Sequence, residues 1–136
     1  MEYKPDFNTF KNKIKEEKSY VVYTSLVADL DTPVSAMLRI GENEPYSFLL
    51  ESVEGGESKG RYSIIGLKPD LIWRCYGNNA EINFNPSNKL KKFIPDNKST
   101  LDSIRSLVNN SKINLPKDLP PMASGLIGYL GFDTIK

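Results

Sequence analysis

The sequence predicts an α+β fold in which antiparallel strands form one sheet or two packed layers, covered by about three helices. Three observations predict it. Apolar residues recur at helical spacing in three short stretches, near residues 7–18, 33–40 and 100–109. β-Branched and aromatic runs fill much of the chain between them. The connections between consecutive runs are too short for crossovers, so neighbouring strands must pair antiparallel.

Asp6 is placed to cap the first helix, which runs to about Lys18 with Phe7, Phe10 and Ile14 on its apolar stripe. Tyr20 to Ala28, YVVYTSLVA, reads as a well-buried strand that ends at the Asp29-Leu30-Asp31 turn. Thr32 followed by Pro33 is an N-cap with proline at the first helical position. The helix to Ile40 contributes Val34, Met37 and Leu38 to a core, and Gly41 stops it. A polar turn then leads into the strand Tyr46 to Val53, and a second strand follows at Tyr62 to Gly66.

Leu71 to Tyr76 and Ala80 to Phe84 form a hairpin around Gly77-Asn78-Asn79, residues that tolerate positive φ. Leu71, Trp73 and Cys75 share one face of it, which makes Cys75 a packed small hydrophobe. Asn85 to Lys98, with Pro86, Pro95 and three lysines, is a polar surface connection. Ser99 or Thr100 caps the third helix, which lies across the sheet with Leu101, Ile104, Leu107 and Val108 buried and Asp102 in the first turn. The proline-rich segment from Asn110 to Pro121 must be extended, and Gly125 to Gly131, GLIGYLG, resumes as a strand. Its glycine spacing fits no nucleotide fingerprint.

Composition excludes several function classes. The 136 residues suffice for one compact domain. Lys and Arg total 18 against 17 Asp and Glu, so a formal charge of +1 gives no field to attract nucleic acid or a membrane surface. No apolar run is long enough to span a bilayer. The single cysteine rules out an intrachain disulfide and fits a cytoplasmic location. With no histidine, the commonest general base, the commonest metal ligand and every Ser-His pair are missing, so neither catalytic residues nor a metal site are expected in this chain.

Chemistry concentrates in Tyr46 to Gly66, YSFLLESVEGGESKGRYSIIG. Alternation puts Tyr46, Phe48, Leu50 and Ser52 on one side of the first strand, so a hydroxyl ends an apolar face. Glu54, Glu57, Lys59 and Arg61 follow around three glycines, a pattern that suits a small zwitterion. The plainer interpretation is that Ser52 closes a strand end and the charges keep a loop solvated.

FLLESVEGGESKGRYSIIG and GLIGYLGFD, with the Asp31-Thr32-Pro33-Val34 element before them, resemble the amino-terminal region of anthranilate synthase component I, one of the chorismate-utilising enzymes. The resemblance implies a synthase that converts chorismate and an amino group from glutamine or ammonia into anthranilate and pyruvate, at the entry to tryptophan synthesis. In that family the chorismate site and its Mg2+-binding glutamates lie in a carboxy-terminal domain that these residues do not contain. The chain then corresponds to the amino-terminal regulatory domain, residues 1–136, the incomplete half of a larger two-layer sandwich, inactive alone. A glutamine amidotransferase subunit is the implied protein partner.

The family's amino-terminal region carries feedback inhibition by L-tryptophan. Carried over residue by residue, the resemblance implies an inhibitor site containing Ser52 beside Glu51, a loop cation that is Lys59 or else Arg61, and Pro33 nearby. An α-amino acid with an indole ring requires an acceptor for its ammonium, a cation for its carboxylate and an apolar wall, and Phe48 and Leu50 share the Ser52 face. Two alternatives stand beside this: the related aminodeoxychorismate synthase component of folate synthesis, and a stand-alone amino-acid-binding module.

Overall fold

A computed structural model describes residues 2–16, 19–51, 62–88 and 92–132. Its element order is α1 (Phe7–Glu16), α2 (Pro33–Gly41), β1 (Phe48–Glu51), β2 (Ser63–Gly66), β3 (Ile72–Tyr76), β4 (Asn79–Asn83), β5 (Ile94–Asp96) and α3 (Thr100–Asn110). The strands form two small antiparallel sheets, a β1–β2 ribbon and a β3–β4–β5 meander, so the fold is α+β. The chain divides into two compact units, one of Val27–Leu101 and the other of Met1–Leu26 with Asp102–Lys136.

In the Val27–Leu101 unit, the hairpin predicted around Gly77 forms as β3 and β4. Gly77 takes φ +59, which a side chain would resist, and no atom lies where its Cβ would point. Trp73 faces Ile82 and Cys75 faces Ala80 in the register. Ala80 is 1% exposed, Ile82 is buried, and Cys75 is half-buried opposite Ala80 as a small apolar residue. Arg74 and Tyr76 are exposed, as period-two alternation requires. Arg74 Nε and Nη2 both reach Glu81 Oε2, at 2.9 and 2.8 Å, and its guanidinium lies 3.7 Å from the centre of the Phe93 ring.

β5 occupies part of the stretch expected to be a plain surface connection. Pro95 stands opposite Glu81, and β5 is an outer strand of this sheet, where a residue without an N–H is tolerated. Thr100, at the start of α3, donates its hydroxyl to the Gly77 carbonyl at 3.0 Å, while its backbone N–H donates to Asn78 Oδ1 at 3.2 Å. Those bonds bury a polar residue that helical periodicity alone does not select.

In the other unit, α1 is capped by Asp6, whose Oδ1 accepts from the N–H groups of Asn8 and Thr9 at 3.0 and 3.1 Å. The Thr9 hydroxyl donates to Asp6 Oδ2, and this bond, helped by the two from the backbone, holds the Asp6 carboxyl below its ordinary range. The predicted stripe on this helix stays shallow: Phe10 is half-buried while Phe7 and Ile14 are exposed. On α3 the inward residues are Ser103 and Leu107, with Ile104 half-buried, whereas Leu101 and Val108 remain largely exposed.

Two predicted strands are absent. Tyr20 to Ala28 forms only an isolated bridge, in which Lys4 and Tyr23 exchange backbone hydrogen bonds of 2.8 and 2.9 Å, and Val27 is 88% exposed. Gly125 to Gly131 is likewise outside any strand; Gly125 adopts φ +138 and Tyr129 is 94% exposed. In both cases side-chain preference for extended backbone does not by itself make a strand.

Candidate functional site

The candidate site belongs to the packing of α2 on the β1–β2 ribbon. α2 starts as its sequence requires. Thr32 sits in an extended conformation and its Oγ1 accepts from the Ser35 N–H at 3.1 Å, while Ser35 Oγ accepts from the Thr32 N–H at 2.9 Å. This reciprocal capping box satisfies two backbone donors, and Pro33 at the first helical position has no N–H that needs a partner. Pro33 is half-buried.

Asp31, just before the cap, ties the helix start to its far end. Its Oδ1 lies 2.8 Å from Arg39 Nη1, in the last turn, and 3.3 Å from Ser35 Oγ. α2 contacts both strands of the ribbon. Gly41 is buried at the end of the helix, where the space for a Cβ is already taken by the Met37 thioether and a Leu67 methyl. Gly41 therefore lies inside α2 and the cap falls at Glu42, one residue beyond the predicted stop.

The ribbon pairs Phe48 with Gly66, Leu49 with Ile65, Leu50 with Ile64 and Glu51 with Ser63. The Phe48 ring covers Gly66, occupying the place where a Cβ would stand. Tyr46 does not extend the strand; it turns the chain with φ 61, and the ladder starts at Phe48. Ser47 Oγ approaches the Gly41 carbonyl at 3.4 Å, and Lys68 is paired with Glu44 at 3.1 Å, so contacts on both sides of the ribbon lead back to the end of α2.

Of the predicted site residues, Pro33 and Glu51 are described. Pro33 opens α2, and Glu51 ends β1, exposed and opposite Ser63. Both belong to one helix-on-ribbon assembly. Ser52, Lys59 and Arg61 lie outside the described residues. Of the two apolar residues expected beside Ser52, Phe48 is half-buried over Gly66 and Leu50 is largely exposed, an apolar side chain available near the end of the ribbon.

The Asp31–Ser35–Arg39 network leaves only one signal in the sequence, an acid before a Thr-Pro cap with an arginine two turns later. A cluster in the other unit leaves none. The Tyr23 hydroxyl donates to Asp118 Oδ2, and Lys4 Nζ stands 3.7 Å from the same oxygen. The carboxylate that accepts its proton pushes the Tyr23 phenol up to about 12, and the same bond holds the Asp118 carboxyl below its ordinary range. Nothing in local sequence links residues 23 and 118. Among the described residues no group of three or more His, Cys, Asp or Glu is placed to hold a metal ion.

The chain is 47% identical over 130 residues to anthranilate synthase component 1 of Cereibacter sphaeroides, an alignment that covers 96% of this chain and 26% of that protein. It is 38% identical over 135 residues to the protein of the same name from Synechocystis, covering 97% of this chain and 25% of that one. Over this stretch the chain belongs to the family of anthranilate synthase component 1.

The Acinetobacter calcoaceticus family member agrees, at 34% identity over 115 residues. The chain spans about a quarter of the length of these family members, consistent with an amino-terminal region. No family model matches the chain, and no solved structure matches it. Among the described residues no helix is long and apolar enough to cross a membrane.

Proposed function

We propose that this chain is the amino-terminal regulatory portion of an anthranilate synthase component 1 and carries part of a site at which L-tryptophan acts as feedback inhibitor. The observation that carries the proposal is sequence similarity along nearly the whole chain to proteins of that name, about four times as long. The absence of histidine supports placing the chemistry elsewhere in the protein, because these residues lack the commonest general base near neutral pH.

In this proposal Ser52 and Glu51 receive the amino acid's ammonium at the end of β1, and Lys59 or Arg61 pairs with its carboxylate. Pro33 and the α2–ribbon assembly form the adjoining wall. Occupancy favours one arrangement of this region over another, which demands different tryptophan affinities in the two. Chorismate and an amino group from glutamine or ammonia are converted to anthranilate and pyruvate in a catalytic domain outside these residues, with ammonia supplied by a glutamine amidotransferase subunit in the cytoplasm. Among the described residues no group of carboxylates is placed for the Mg2+ that the reaction implies, and residues of that catalytic domain would hold it.

Calorimetric titration of L-tryptophan into the full-length protein and its Ser52→Ala variant tests the assignment. The wild type binds and the variant loses affinity; equal binding by both removes Ser52 from the site. Rescue of a tryptophan auxotroph by the full-length gene tests the reaction. Rescue of folate synthesis instead would overturn it.

A further inference from the structure

The inhibitor site proposed above draws on two elements, the end of β1 and the start of α2, which are separate in sequence. Their relation depends on how firmly α2 is held. A nine-residue helix is too short to be stable by itself, so its geometry is set by its ends and by what it packs against. Met37 and Gly41 lie at one end, beside Leu67 after β2. At the other end Asp31 accepts from both Ser35 and Arg39, while Ser35 also shares the capping box with Thr32.

The Asp31 carboxylate thus joins the residue before the cap, the first turn, which Pro33 opens, and the last turn. Arg39 is mostly exposed and Asp31 about one-quarter exposed, so the pair is only partly screened by solvent. We propose that Asp31, Ser35 and Arg39 form a clamp that fixes the internal geometry of α2, and with it the setting of Pro33 in its first turn, so that these three residues set tryptophan affinity without touching the amino acid. This rests on the function proposed above and adds positioning residues to it.

The test is calorimetric titration of L-tryptophan into the full-length protein carrying Asp31→Asn, Arg39→Gln, both together, or Arg39→Lys. Ser52→Ala and Arg105→Gln serve as references, the second breaking a 3.6 Å ion pair with Asp102 on α3. The thermal midpoint of each variant is measured alongside. Asp31→Asn and Arg39→Gln each weaken binding about three- to fivefold, the range of a partly exposed ion pair. The double variant is no weaker than either single one, because both remove the same interaction. Arg39→Lys retains most of the affinity and Arg105→Gln all of it.

Wild-type affinity in Asp31→Asn and Arg39→Gln, with binding lost in Ser52→Ala, overturns the clamp and leaves the inhibitor site standing. Additive losses in the double variant overturn it too, as does a loss matched by Arg105→Gln at an equal drop in thermal midpoint. Failure of the wild type to bind tryptophan overturns both proposals.

Discussion

Adding a single methyl group at Gly66 should cost more than adding one at Gly41, although both glycines sit in the same helix-on-ribbon assembly. A Cβ at Gly66 points directly into the Phe48 ring, meeting its Cε1 and Cζ atoms. An aromatic ring on a paired strand cannot yield by a small rotation, so it must leave its position over β2 or push the strands apart. Overpacking of this kind costs about 1–3 kcal/mol. Replacing glycine also removes backbone freedom from the unfolded chain, which returns about 0.4–1 kcal/mol. Taking the middle of each range, the net loss for Gly66→Ala is about 1.3 kcal/mol.

At Gly41 the new methyl meets the Met37 Sδ and Cε atoms at 2.8 Å and a Leu67 methyl at 3.2 Å. The thioether is the free end of a flexible side chain and can move aside. Gly41 is also helical with an ordinary φ, so alanine adds about 0.5–1 kcal/mol of helix preference. Gly41→Ala should be neutral or slightly stabilising. Equilibrium urea denaturation of both variants, with Phe48→Leu as a partner for Gly66→Ala, checks this. The shorter side chain should reduce the cost of Gly66→Ala in a double-mutant cycle. If Gly66→Ala is as stable as wild type, or Gly41→Ala loses more than Gly66→Ala, the packing described for the ribbon is wrong.

Thr32→Ala removes one arm of the capping box and should cost about 1 kcal/mol in the same assay; an unchanged midpoint contradicts the capping geometry. The Tyr23–Asp118 bond makes a pH prediction. Its contribution is present while the phenol is protonated, below its unfolded value of 10.0, and is lost as pH rises toward about 12. At the acid end, Asp118 is the group with a depressed value, so the same contribution disappears as pH falls below 3.8. Spectrophotometric titration of tyrosinate should show one late-ionising tyrosine that Asp118→Asn returns toward 10.0. Identical titration curves for the two proteins refute the bond.

Local signals in the sequence were sufficient where the structure itself is local. Thr32-Pro33 predicts the start of α2, and Asp6 predicts the cap of α1, because each satisfies backbone donors within three residues. The Gly77 hairpin follows from one residue that accepts positive φ. Tyr20 to Ala28 and Gly125 to Gly131 have the composition of strands without forming them, because a strand exists only where another backbone pairs with it in a ladder. The converse case is β5, whose Pro95 argues against a strand but is acceptable on an outer one.

At the candidate site, Pro33 and Glu51 were recognised through family resemblance, and their membership of one assembly is visible only in the fold. The Asp31–Arg39 pair was not legible, since charge spacing does not reveal which side chains meet. Nor was Tyr23 with Asp118, where the partners are separated by 95 positions.

The most direct measurement is the position of L-tryptophan in crystals of the full-length protein grown with it. The amino acid should lie at the end of β1, with its polar groups beside Glu51 and Ser52 and with α2 and Pro33 adjoining. Density for tryptophan remote from this ribbon would contradict that placement.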